Sequence, residues 1–168
     1  NVTATEFTLR NKGNTYAVSG IGAYSNISSD SVNQGYKTTL SVGKTSGNWQ
    51  GSLWTNVESK NYNPNDMGYL QSPNEFSCGM EVNYNVFKPF GHFKYLYLSI
   101  QLENQMLYTP RSYVSQDVIV GMRTTTKRDY FISTWFVNSL RSIYDYYEPR
   151  VDGMKLWLPP RSYFEYLG

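Results

Sequence analysis

The sequence predicts an all-β fold, an antiparallel up-and-down meander of about eight strands that reads as a transmembrane β-barrel. Three observations carry this. Short and long connections alternate strictly along the chain: 12–14, 45–48, 88–92 and 125–129 are short polar breaks, interleaved with long stretches at 25–34, 60–75, 104–112 and from 144 onward. Outer-membrane barrels have short turns on one side and long loops on the other, whereas nothing makes the turns of a sandwich alternate. The runs between these breaks have a period of two, with an apolar face and a polar face. Finally, the composition holds 16 Tyr, 8 Phe and 4 Trp, while Ala occurs only at positions 4, 17 and 23, which favours strands over helices.

The strands follow in order. The first, over 3–10, is short, and the second, over 16–24, is a strand by composition with an ambiguous phase. In the third, Tyr36, Thr38, Leu40 and Val42 alternate with Lys37, Thr39, Ser41 and Gly43. In the fourth, Trp49, Gly51, Leu53, Thr55 and Val57 alternate with Gln50, Ser52, Trp54, Asn56 and Glu58. The fifth is the clearest: Phe76, Cys78, Met80, Val82, Tyr84 and Val86 share one face, and Ser77, Gly79, Glu81, Asn83 and Asn85 the other. Its length matches the roughly 9–11 residues that a tilted strand needs to cross a bilayer. The sixth, over 93–103, sets Leu96, Leu98, Ile100 and Leu102 against Tyr95, Tyr97, Ser99, Gln101 and Glu103. The seventh places Val114, Val118, Val120 and Met122 opposite Ser115, Asp117, Gly121 and Arg123, and the eighth spans 129–144 with an ambiguous phase.

Polar faces carrying Lys, Glu and Arg at strand centres suit a wet lumen, and aromatics at strand ends suit interfacial girdles. The alternative is a soluble sandwich whose polar face is solvated. After the eighth strand, residues 154–158 and 161–166 read as a structured loop leading to a further strand. The chain 1–168 is therefore expected to be one domain, a segment of a larger barrel. No segment approaches the roughly 18 consecutive apolar residues of a membrane helix, which is silent about barrels. Glycines 20, 22, 51 and 79 inside strands are expected to relieve curvature or admit a large neighbour.

Charge and site chemistry narrow the function. The net charge is +2 and the basic residues are spread along the chain, so no footprint for nucleic acid is read. One cysteine, Cys78, excludes an internal disulfide and reads as packing. The one histidine, His92, stands in a short turn with no nucleophile motif to serve. No spacing of Cys and His implies zinc, no acidic loop matches a calcium hand, and no cofactor motif is found. No second carboxylate can be placed beside Glu148, so no enzymatic role is expected. Asn63, Asn65 and Asp66 form an oxygen-rich cluster that would bind calcium or sugar hydroxyls, or would simply make the turn that Asn-Pro-Asn-Asp favours. Glu148 and Arg150 flank Pro149 and read as a brace between loops. Tyr144, Tyr146, Tyr147 and Trp157 are placed either to stack on sugar rings or to pack a loop into the barrel mouth.

Residues 59–70, Ser-Lys-Asn-Tyr-Asn-Pro-Asn-Asp-Met-Gly-Tyr-Leu, and 146–153, Tyr-Tyr-Glu-Pro-Arg-Val-Asp-Gly, resemble a family of Bacteroidota outer-membrane proteins. Members of that family carry an N-terminal β-sandwich similar to family-nine carbohydrate-binding modules, then a long barrel domain of unknown function. The resemblance covers about residues 41–166 and implies a place within the barrel domain. It implies bacterial outer-membrane localisation, membrane lipid and other envelope proteins as partners, and glycan binding only through a domain outside this chain. It carries no established reaction. The expected role is transport or surface assembly, the alternative a soluble, lectin-like carbohydrate-binding β-domain. By strand parity both motifs belong to one rim, the extracellular one. Asn65, Asp66, Tyr69, Glu148 and Arg150 are the candidate binding residues there.

Overall fold

The computed structural model describes residues 1–28, 32–64, 73–151 and 153–168. Nine strands form one antiparallel sheet in sequence order: β1 (Val2–Arg10), β2 (Tyr16–Ser28), β3 (Val32–Lys44), β4 (Trp49–Glu58), β5 (Glu75–Val86), β6 (Phe93–Leu107), β7 (Tyr113–Thr126), β8 (Phe131–Ser139) and β11 (Ser162–Leu167). Between β8 and β11, β9 (Ile143–Asp145) pairs with β10 (Leu156–Leu158) in a small separate ribbon. Every pairing is antiparallel, each strand from β1 to β8 pairs with the next, and the described residues contain no helix. β1 and β11 are the two edges of the sheet, and they do not pair with each other.

Register fixes the faces, since residues directly opposite across an antiparallel pair share one face. One outer row runs Val42, Leu53, Met80, Leu102, Val118, and the next Gly51, Val82, Ile100, Val120, Phe136, Phe164. On this face Leu53, Met80, Leu98, Ile100, Leu102, Val120 and Phe136 are exposed. Phe76, Cys78, Val82, Tyr84, Val86 and Leu96, which an outward lipid-facing position would leave exposed, are half-buried instead, because same-face neighbours on adjoining strands shade them. Most of the buried small polar residues lie on the opposite face, Ser25, Ser77, Ser99, Ser115, Ser133 and Ser139, while Thr124 is buried on the outward face. Apolar surface thus points out and polar surface in, the reverse of a two-layer core. Among the described apolar residues only Ala23, Tyr62, Leu107 and Val114 are buried.

Charge follows the same division. Glu6, Arg10, Lys37, Glu58, Glu75, Glu81, Glu103, Asp117, Arg123 and Glu165 all occupy inward register positions. The only other charged residues of the nine strands are Lys44, the last residue of β3, and Lys94, at the irregularity that opens β6. Both lie at the short-turn end.

The strands are staggered. A line across the sheet through paired residues runs Phe7, Gly20, Leu40, Thr55, Cys78, Asn104, Gln116. It starts three residues from the short-turn end of β1, at Arg10, and crosses β7 ten residues from its short-turn end, at Thr126. Several strands outrun their sequence reading: β6 continues to Leu107 and β7 begins at Tyr113. The run predicted over 129–144 divides into β8 and β9, with Ser139 the last residue of β8 and Leu140 handing its N–H to Gln116 O at 2.8 Å.

Candidate functional site

Two of the four connections read as long, those after β4 and β8, are long and gather at one rim, whereas β2 to β3 and β6 to β7 are joined by short links because their strands extend into them. The chain after β4 turns inward: Ser59 donates its N–H to Tyr36 O at 2.9 Å and accepts from Tyr36 N with its hydroxyl at 2.8 Å. Asn63 N donates to the hydroxyl of the fully buried Ser25 at 3.0 Å, and Tyr62 is buried. Gly35, opposite Ser25 on the inner face, leaves the space that Tyr62 fills, for a Cβ there would collide with the Tyr62 backbone. This short segment, residues 59–63, therefore lies over the inner face.

The other end of the same connection is tied down by Asn74. Its amide donates to Thr109 O at 2.9 Å, its carbonyl oxygen accepts from Thr109 N at 2.9 Å, and Tyr108 N donates to Asn74 O at 3.0 Å. Tyr147, 74 residues further on, donates its hydroxyl to Pro73 O at 3.1 Å. The two motif-bearing loops therefore meet at the same rim, as strand parity requires. The ribbon β9–β10 is built on cation–π contacts: Lys155 Nζ sits 4.0 Å above the Tyr144 ring and 5.7 Å from that of Tyr146, and Arg141 lies over Tyr113 at 5.6 Å. Asp145 shapes the following turn by accepting from Tyr147 N at 2.8 Å and Glu148 N at 3.1 Å.

These loops enclose an open cleft of about 750 Å³ lined in part by Lys60, Asn74, Tyr146, Tyr147, Arg150 and Lys155. Arg150 thus reaches the cleft, from a left-handed backbone position (φ 53). Glu148 stands exposed on the turn and forms no ion pair with Arg150. Asn65, Asp66 and Tyr69 lie outside the described residues. Three cations, an amide and two phenols are among its described lining residues, which suits it to polar or anionic groups. No group of three metal-ligating side chains occurs among the described residues.

A second constellation sits on the inner face, three to five residues in from the short-turn ends of β4 to β8. Successive strands contribute Trp54, Glu81, Tyr97, Arg123 and Trp135, and Glu165 of β11 stands opposite Trp135. The Tyr97 hydroxyl donates to Glu81 at 2.7 Å and lies 3.1 Å from Asn83 Oδ1, and Arg123 lies 5.9 Å from the Tyr97 ring and 5.8 Å from that of Trp135. Trp54 lies over Gly79, where a Cβ would come within 2.7 Å of the indole, and Trp135 covers Gly121 in the same way. Gly79 thus admits a large neighbour, one of the two roles expected of it. Farther up, Lys37 pairs with Glu58 at 2.5 Å, and Glu75 accepts from Ser77 at 2.6 Å. The belt was not singled out from sequence, although its members are the bulky and charged residues at polar-face positions.

The family model described as a domain of unknown function (DUF5916) matches residues 1–167. No curated protein and no solved structure matches the chain.

Proposed function

The chain belongs to that uncharacterised family, and on this premise we propose that it is a membrane-embedded stretch of a bacterial outer-membrane β-barrel, serving transport or surface assembly within the cell envelope rather than catalysing a reaction. One observation carries the reading. Every charged side chain in the body of the sheet points to one face, and the other face carries no charge there and is mostly apolar and aromatic, with uncharged polar residues such as Thr38, Thr55 and Asn138 among them. A barrel wall needs this division, with lipid outside and water inside.

Two features support it. The stagger of seven residues over the six steps from β1 to β7 corresponds to a tilt of about 40°, taking about 3.3 Å per residue and 4.8 Å per strand, within the range of barrel strands. Outward aromatics also recur in two bands: Tyr16 and Tyr24 on β2, and Phe76 and Tyr84 on β5, are each eight residues apart. On strands so tilted that spacing is about 20 Å of height, near the roughly 25 Å of an apolar barrel band. The unpaired edges of β1 and β11 fit a wall continued by further strands, since open edges are not tolerated in lipid.

The test is fractionation of the full-length protein. It should stay in the membrane pellet through carbonate washing, need detergent to dissolve, and migrate differently before and after boiling on a denaturing gel. Release by carbonate as a detergent-free soluble species would overturn the reading and favour a lectin-like domain, whose aromatic surface would be Tyr146 and Tyr147 at the cleft.

A further inference from the structure

The short-turn rim collects what the sequence spreads out. Its four turns, with the strand residues that flank them, comprise residues 10–16, 44–49, 86–94 and 126–131, all of them described. They hold seven of the 15 Lys and Arg residues: Arg10, Lys12, Lys44, Lys88, Lys94, Lys127 and Arg128. They hold one of the 13 acidic residues, Asp129, and that one pairs with Lys94 at 2.5 Å. Lys44 donates to Trp49 O at 2.6 Å. The other five cations make no ion pair among the described residues, and all five are exposed.

The same rim is rich in exposed aromatics. Tyr16, Trp49, Phe87, Phe90 and Tyr130 are all open to solvent, and Phe90 packs on Phe93 at 5.6 Å. An aromatic ring prefers the level of lipid headgroups, and a cation beside it meets whatever charge the headgroups carry. Successive turns at this rim are two strands apart, about 10 Å, close to the screening length at physiological salt of about 8 Å. Their charges therefore act together on one surface. The opposite rim is mixed: among its described residues Asp145 and Glu148 stand there with Lys60, Arg111, Arg141, Arg150, Lys155 and Arg161.

We propose that this short-turn rim is a basic collar that binds anionic phospholipid headgroups of the leaflet it faces, with Lys12, Lys88, Lys127 and Arg128 as its main contacts. The inference rests on the barrel reading, which places the aromatic row at an interface. It goes beyond that reading in assigning the charge of the lipid and the rim that holds it. Cations held near an anionic membrane surface are drawn to it together, so these four act as one local selector. The attraction is electrostatic and falls with salt.

The test uses the full-length protein in vesicles that contain brominated phosphatidylcholine or brominated phosphatidylglycerol, with tryptophan fluorescence as the readout. Trp49 sits on the outer face at this rim and is the tryptophan placed to report it. At low salt the brominated phosphatidylglycerol should quench at least about two-fold more effectively at equal mole fraction. The preference should vanish at about 0.5 M salt, and in the variant K12Q/K88Q/K127Q/R128Q, while quenching by brominated phosphatidylcholine persists. Equal quenching by both lipids at low salt overturns the collar and leaves the barrel standing. A preference that survives the fourfold variant overturns it too, as does binding of the wild type to peptidoglycan without lipid preference. No quenching by either lipid removes the barrel reading, and the collar with it.

Discussion

Glu58 is the residue whose surroundings are most demanding. Its side chain is 4% exposed and its ionic partner is Lys37, which remains 31% exposed. Removing one partner of such a pair leaves an uncompensated charge and typically costs about 3–5 kcal/mol, more than the pair itself contributes. Lys37→Met should therefore lower the urea midpoint of the folded protein strongly, and Lys37→Met with Glu58→Gln should recover most of the loss. If the single variant unfolds like the wild type, Glu58 is solvated and the inner face is wetter than the structure describes. Of the sequence-derived site residues, Arg150 could be placed at a rim but not in a cleft. Its neighbours there, Pro73 and Asn74, are held by bonds to Tyr147 and Thr109, and no local pattern encodes contacts at such separations. Glu148 shows the opposite failure. Its spacing from Arg150 invites a pair, but the Asp145 carboxylate takes up the Glu148 N–H and sets the turn otherwise.

At the scale of strands, the two faces make a differential prediction. Val82 and Leu98 point outward near mid-height, and Asn83 is the inward neighbour of Val82. Val82→Lys or Leu98→Lys should cost about 2–4 kcal/mol of folding stability in lipid, whereas Asn83→Lys should cost little, measured by reversible unfolding in vesicles. Similar effects at Val82 and Asn83 would mean that no lipid contacts the apolar face. The strands were legible because a period of two needs only local alternation, and β5 matches its reading within one residue, Glu75–Val86 against 76–86. Their far ends were not. Asn104 ends the apolar run of β6, yet the ladder continues past it through Asn104↔Gln116 and Gln105↔Ser115. Hydrogen bonding between backbones needs no apolar side chain, so pattern stops before pairing does. In 129–144 the composition stays strand-like while the chain changes partner, from β7 and β11 to β10.

For the whole molecule, rim identity is the most exposed prediction. Protease added to intact cells should cut within 60–75 and 144–160 together and spare the short turns at 11–15, 45–48, 87–92 and 127–130, as mapped by mass spectrometry of the fragments. Cuts in the short turns alone would invert the orientation, and cuts at both ends would remove the membrane. The meander was readable from period-two runs broken by polar turns, but the strict alternation of connection lengths was not kept: β2 runs to Ser28 with β3 starting at Val32, and β6 to Leu107 with β7 starting at Tyr113, because backbone pairing carries these strands into stretches that read as long loops. The inner belt and the basic rim were not readable, because each is assembled from residues that sit on successive strands. Trp54 and Trp135 become level only when register is known, and Lys12 and Arg128 become companions only when the turns come to one side.

A main sheet laid down in sequence order, with the β9–β10 ribbon set aside as an insertion, gives the chain a particular kind of evolvability. Gain or loss of a complete hairpin shifts the wall sideways by two places and leaves every other loop in its compartment. Gain or loss of a single strand reverses the compartment of everything downstream of it. Insertions, deletions and recombination junctions in the lineage of this gene should therefore be tolerated in steps of two strands, and each loop can diverge under its own selection while the wall stays in frame.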